Sequence, residues 1–231
     1  MTATLSRPHH MAGLALARGL FPNNVALASS DPGGDPSTLY PAERLAIARA
    51  VPARQREFAA GRDAARRAMA QRGLANSPIP MSSDRAPLWP QGVTGSISHC
   101  QSCCLAAIAL RTDARALGLD VEEDTPLSDD LIAEICTPFE RAWLSEQSTL
   151  QARHWAKVIF SAKETAYKCQ YTVTRRLFGF DGFEISLDQK IGHFEARFTA
   201  SIAPFARNTA LMGRFGIGNG LIVTGMFLTC G

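Results

Sequence analysis

A run of ten residues, Ile159-Phe-Ser-Ala-Lys163-Glu164-Thr-Ala-Tyr-Lys168, constrains this 231-residue chain more than any other. It lies in a segment, roughly Gln151 to Cys169, where Trp155, Val158, Ile159, Ala162, Ala166 and Cys169 recur at helical spacing with no Gly or Pro between them. That spacing predicts a helix with one face in a core. Glu164 and Lys168 stand four apart and project together, with Lys163 beside Glu164. An exposed ion pair is one reading of the pair. Lysine usage supports another, because only four of the 24 basic residues are lysines and three of them, Lys157, Lys163 and Lys168, fall in this helix. In a chain that otherwise uses Arg, a retained ammonium suits a need for a compact, mobile charge, as for phosphate.

With 46% apolar and 19% charged residues the chain can build a real core of one large or two small domains. A net charge of +3 is too mild to argue for nucleic acid, and it suits a site for a small polyanion. The six cysteines lie at irregular positions, mostly in apolar runs, which favours buried reduced thiols over a disulfide framework. His99, Cys100, Cys103 and Cys104 lack a second ligand pair at matching spacing, so they do not read as a zinc cluster. The opening residues lack the order of a signal peptide, and no apolar run reaches the ~20 residues that span a membrane. The expectation is a cytoplasmic monomer with no membrane span.

The first 36 residues read as a mixed opening with a strand candidate at Val25-Ala-Leu-Ala. Pro41 with Glu43 in the first turn begins a short helix to about Ala50, and a longer one runs from about Ala53 to Arg72 before Gly73. The longer helix carries Arg54, Arg62 and Arg66; a solvated basic face is the plain reading of such a helix. Beyond a loop containing Arg85, alternation over residues 94–99 predicts a strand delivering Ser98 and His99 to a rim. In Leu117-Gly-Leu-Asp120-Val-Glu122 period two sends Leu119 and Val121 to one face and Asp120 and Glu122 to the other. Adjacent carboxylates repel each other unless a cation or water lies between them, so a divalent metal is an attractive partner. Further helices begin at Ser128 and Pro138, and strands are expected at about 182–188, 193–202, 212–217 and 220–229. No sharp internal repeat is visible, and the class is α+β with a boundary near Arg111 to Arg115.

The order of four blocks is more specific than any one of them. They are Glu57-Phe-Ala-Ala-Gly-Arg62-Asp-Ala-Ala-Arg66, Trp89-Pro-x-Gly-x-x-Gly-Ser-Ile-Ser-His99, Gly118-Leu-Asp-Val-Glu122 and Phe160-Ser-Ala-Lys-Glu-Thr-Ala-Tyr-Lys168. The series resembles the 4′-phosphopantetheinyl transferases, and among them the group typified by enterobactin synthase component D. The resemblance covers about Leu39 to Gly182. It implies two similar α+β subdomains about a pseudo-twofold axis, residues 1–113 and 114–231, with coenzyme A and Mg²⁺ in the cleft between them. It also implies transfer of the 4′-phosphopantetheine group to a serine of an apo acyl or peptidyl carrier protein, releasing adenosine 3′,5′-bisphosphate.

Matched position by position, Asp120, Glu122 and Glu164 correspond to the family's metal-binding acids and Lys168 to its pyrophosphate lysine. Arg54, Arg62, Ser98 and His99 match the positions that bind the nucleotide and 3′-phosphate of coenzyme A. Arg66 and Arg85 are further candidates, and Lys163 is counted with Lys168 as a coenzyme A contact. The loop before Trp89 offers Arg85 alone, with Met81 and Ser82 where family members often place a lysine. Glu164, or a water it or the metal holds, is the candidate base for the serine proton. Two rivals remain: a nucleic-acid-binding module leaves Asp120, Glu122 and the Lys-Glu-x-x-x-Lys helix without a role, and an inactive homologue is expected to have lost an acid.

Overall fold

The computed structural model describes residues 9–230 and builds the α+β class as two halves on one plan. A first helix, α1 (His9–Arg18), precedes both. The first half then runs β1 (Ala26–Ser30), α2 (Pro41–Ile47), α3 (Pro52–Gln71), β2 (Val93–His99) and β3 (Cys104–Leu110). The second runs β4 (Ala116–Glu123), α4 (Asp129–Ile135), α5 (Pro138–Ser145), α6 (Thr149–Thr174), β5 (Phe183–Asp188), β6 (His193–Phe198), β7 (Ala210–Gly218) and β8 (Leu221–Leu228). Every strand pair is antiparallel, in the orders β1-β3-β2 and β4-β8-β7-β6-β5. In each half the opening strand therefore lies beside the last one, after an excursion through one short helix or two and then a long one.

Each long helix is held by its apolar stripe. Ala64, Ala65, Ala68 and Met69 of α3 pack on Ala106 and Ile108, small side chains allowing a close approach. On α6, Ile159, Ala162, Ala166 and Cys169 meet an aromatic group that includes Phe183, Phe194 and Phe198. Full burial of each phenylalanine contributes about 1.5–3 kcal/mol. Gly118 brings α6 down onto β4, since a Cβ there would stand 2.1 Å from the Thr165 carbonyl oxygen. A third cluster, including Leu105, Ala107, Leu117, Leu119 and Val121, joins the halves.

The two sheets meet along β2 and β4 through a side chain. Ser96 Oγ accepts the Leu119 N–H at 3.0 Å and donates to the Leu119 carbonyl at 3.4 Å. The ends of β2 and β4 that carry His99 and Glu122 are thus brought to one rim.

Three elements differ from the sequence expectation. Helix α1 lies in the stretch read as mixed; it buries Leu14 and Ala17, and its Gly13 is needed because a Cβ would sit 2.6 Å from Cys103 Sγ. Helix α6 continues through Thr172-Val-Thr174 despite their low helix propensity, because Gln170 and Tyr171 are still buried there, and it ends at Arg175 in a left-handed conformation (φ 55°). The strand expected at 193–202 stops at Phe198.

Candidate active site

A cleft of about 440 Å³ opens between the halves. α3 supplies Arg54 and Arg62, the 81–89 segment supplies Arg85 and Trp89, β2 supplies Ser98 and His99, β4 supplies Asp120 and Glu122, and α6 supplies Glu164 and Lys168.

The acids on β4 are gripped from α6. Asp120 is 2% exposed, and its Oδ1 accepts from Lys168 Nζ at 2.7 Å and Ser98 Oγ at 2.7 Å. Its Oδ2 accepts from Ser161 Oγ at 2.7 Å. Glu122 Oε2 lies 2.6 Å from Lys157 Nζ. Burial, with the Asp120 charge adding, pushes the Glu122 carboxyl above the ordinary glutamate value, against the pull of Lys157. Glu164 is also raised by burial, with Lys168 opposing and Asp120 adding. Burial draws the Lys168 pKa down, but Asp120 and Glu164 more than offset it and hold it above the ordinary lysine value.

Glu164 and Lys168 do project together as their spacing predicts, but a closer partner of Lys168 lies outside the helix. Their charged atoms are 4.0 Å apart, whereas Asp120 is the close partner of Lys168. A helix brings side chains four apart near each other but does not fix which of two neighbours a flexible lysine takes. The more buried carboxylate, reached across the packed β4, wins.

At the basic end Arg54 donates to His99 Nε2 and lies 3.3 Å from Glu57 Oε2. A guanidinium can only donate, so His99 Nε2 is the unprotonated nitrogen. Burial, with Arg54 adding, holds His99 below the ordinary histidine value. Arg62 is buried, donates from Nε to the Ile79 carbonyl at 2.6 Å and stacks on Phe58, its carbon Cζ 4.1 Å from the ring centre. Burial chiefly, with Arg66 and Arg54 nearby, lowers its pKa to about 10. Arg85 reaches the cleft from a turn in which it adopts φ 67°.

Two expected coenzyme A contacts lie elsewhere. Lys163 is 2% exposed, donates to the Ile135 and Phe180 carbonyls at 2.9 and 2.8 Å, and pairs with Glu140 at 2.9 Å. At about 100° per residue it faces well away from Lys168, five positions on. Arg66 donates to both oxygens of Glu43, at 3.0 and 3.1 Å, beneath Tyr40. Both cations hold the fold together and do not line the cleft.

Sequence reasoning also missed residues that line it. Asp84 accepts from the Tyr171 hydroxyl, tying the turn of Arg85 to α6, and Arg111 and Arg175 reach the same cleft. Tyr171 and Arg175 lie beyond the expected end of the helix, which is why no signal placed them.

Among the described residues, no three His, Cys, Asp or Glu side chains converge closely enough to hold a metal by themselves. The acids present are hard oxygen donors, which fits a cation that completes its shell with substrate phosphates and water. No helix of the described residues is long and apolar enough to cross a membrane.

A cleft lined by several cations together with paired acids is suited to a phosphate-rich substrate, and comparison with known proteins gives the class. Residues 42–109 match the family model of the 4′-phosphopantetheinyl transferase N-terminal domain, and residues 116–209 match that of the 4′-phosphopantetheinyl transferase superfamily. The chain belongs to the 4′-phosphopantetheinyl transferases and is an enzyme of that activity. It is 39% identical over 201 residues to the 4′-phosphopantetheinyl transferase Svp of Streptomyces mobaraensis, covering 85% of this chain and 82% of that protein. It is 33% identical over 205 residues to the 4′-phosphopantetheinyl transferase PptT of Mycobacterium tuberculosis, covering 86% and 89%. With enterobactin synthase component D of Salmonella typhi it shares 36% over 135 residues, 58% of this chain and 55% of the other.

Proposed function

We propose that the cleft binds coenzyme A with its nucleotide end toward Arg54, Arg62, Ser98, His99 and Arg85 and its pyrophosphate toward Lys168. The acceptor is the serine hydroxyl of an apo acyl or peptidyl carrier protein. The observation that carries the reading is that four sequence-distant blocks put these cations and the acids Asp120, Glu122 and Glu164 around one cleft.

Asp120, Glu122 and Glu164 are the residues that would hold Mg²⁺, which when bound supplies neutralisation of the pyrophosphate charge. The serine oxygen attacks the β-phosphorus as the bond from that phosphorus to the bridging oxygen breaks, and adenosine 3′,5′-bisphosphate leaves. The serine proton passes to Glu164 or to a water it holds. The raised pKa of Glu164 makes it a better proton acceptor than an ordinary glutamate. Lys168 leaves Asp120 Oδ1 for the pyrophosphate and stabilises the charge that grows there in the transition state.

The subdomains divide between residues 113 and 114, in the turn that separates β3 from β4. The protein works as a cytoplasmic monomer. Mass spectrometry of an apo carrier protein incubated with this chain, coenzyme A and Mg²⁺ tests the function: a phosphopantetheine adduct on the carrier serine is expected. An unmodified carrier alongside intact coenzyme A binding identifies an inactive homologue.

A further inference from the structure

Three hydroxyls are fully buried behind the site, and their chain ends on Asp120. Ser161, Thr165 and Thr224 are each 0% exposed. Ser161 Oγ donates to Asp120 Oδ2 at 2.7 Å. Thr224, directly across from Asp120 in the pairing of β4 with β8, donates to the Ser161 carbonyl at 3.0 Å, and its Oγ1 lies 2.9 Å from Ser161 Oγ. Thr165 Oγ1 stands 2.6 Å from Thr224 Oγ1. A carboxylate only accepts, so the Ser161 proton is committed to Asp120.

Burying three hydroxyls has a desolvation cost that apolar side chains of the same size avoid, so packing alone does not account for them. Orientation does. Asp120 Oδ2 is held from the core side, while Oδ1 meets Ser98 and Lys168 at the cleft. Ser161 also belongs to a single stripe of α6, since Lys157, Ser161, Glu164 and Lys168 follow one another at intervals of four, three and four residues. Two of the four grip β4 from that stripe at Asp120, and one at Glu122.

We propose that Ser161, with Thr224 behind it, is a positioning residue that fixes the Asp120 carboxylate so that Oδ1 is the oxygen presented to a divalent cation. The inference rests on the reading of Asp120 as a cation ligand.

The test is titration of Mn²⁺ into the coenzyme A-loaded protein without carrier, so that no turnover occurs, with free Mn²⁺ read by electron paramagnetic resonance. S161A is expected to weaken Mn²⁺ about tenfold or more, the range seen when groups orienting a metal ligand are lost. T224V keeps the shape and loses the hydroxyl, so it is expected to weaken Mn²⁺ and also to lower the melting temperature, because the buried Ser161 carbonyl and Thr165 hydroxyl lose a partner. T224S keeps the hydroxyl and loses a methyl, so it is expected to lower the melting temperature and restore the affinity. The Thr224 pair decides the matter should S161A fail to fold. Wild-type Mn²⁺ affinity in S161A or T224V, or equal losses in T224V and T224S, overturns the positioning role. D120N separates the two levels: if it too leaves Mn²⁺ affinity unchanged, the ligand reading itself has failed.

Discussion

Glu43 and Glu140 hold the same place in the two halves of the molecule. Each is the third residue of a helix begun by proline, accepts the N–H of the residue before that proline (Tyr40 at 2.9 Å, Thr137 at 2.7 Å), and accepts a second N–H from the chain beyond the long helix (Ile79 at 2.8 Å, Ile185 at 2.7 Å). Each then pairs with a cation of the long helix, Arg66 for one and Lys163 for the other. One buried carboxylate thus ties the short helix, the long helix and the segment that follows, once per half.

The first prediction follows from that arrangement. Removing Lys163 leaves Glu140, whose pKa burial already raises, as a charge with only N–H partners in the core. Lys163→Met is expected to cost about 3–5 kcal/mol in urea unfolding, as for a broken buried pair. Coenzyme A affinity of the folded fraction is expected to stay unchanged. A small stability loss with clearly weaker coenzyme A binding would return Lys163 to the cleft.

The symmetry was only faintly legible. Pro41-Ala-Glu-Arg and Pro138-Phe-Glu-Arg match over only four residues, too few to read as a repeat without the structure; the partner is Arg in one half and Lys in the other, and the second sheet has two more strands. Period two along β4 located Asp120 and Glu122 correctly, because Leu119 and Val121 had to be buried. Lys163 was misjudged because neighbours in a helix are about 100° apart, so lying beside Glu164 in sequence is not sharing its face. The choice of Asp120 over Glu164 by Lys168 depends on which strand the helix packs against, and spacing within the helix does not carry that information. Helix α1 is short and contains Gly13, whose reason is a sulfur ninety residues away.

His99 carries a pH prediction. Its folded pKa is depressed below the ordinary 6.5 by burial and Arg54, so the unfolded chain binds the proton more readily. The stability this supplies is present above pH 6.5 and is lost as pH falls through the folded value, and His99→Gln is expected to flatten that part of the acid limb. A 3′-phosphate at this end favours the protonated ring, so adenosine 3′,5′-bisphosphate is expected to bind more tightly as pH drops below about 6.5. Calorimetry in wild type and His99→Gln checks both; an identical pH dependence of binding in the two proteins counts against placing the phosphate at His99.

The two β4 acids are expected to separate in stability while agreeing in activity. Asp120 is buried and accepts three hydrogen bonds, so Asp120→Ala is expected to destabilise the fold by about 1–3 kcal/mol, from the donors it leaves behind. Glu122 is partly exposed and its ion-pair partner is Lys157, so Glu122→Gln is expected to change stability by less than about 1 kcal/mol. Both are expected to abolish Mg²⁺-dependent transfer. Turnover at the wild-type rate by folded Glu122→Gln removes it from the cation site.

Glu164 and Lys168 give the sharpest test of the cleft, because their geometry predicts which quantity each change moves. Lys168 is 2.7 Å from Asp120 and 4.0 Å from Glu164, so its loss disturbs Asp120 first. Lys168→Ala is therefore expected to lower both stability and turnover, the rate falling by about a hundredfold or more if the ammonium meets the pyrophosphate in the transition state. Glu164→Gln removes the proton acceptor while keeping the shape, and a loose 4.0 Å contact predicts little change in stability. In single turnover with saturating coenzyme A and carrier, both residues act on one transition state, so the double mutant is expected to lose far less than the product of the two single losses. In urea unfolding the same pair is expected to be nearly additive, since the close partner of Lys168 is Asp120. Strong coupling in stability together with multiplicative losses in rate would make the two residues an ion pair of the scaffold, and the assignment of Lys168 to the pyrophosphate would fall.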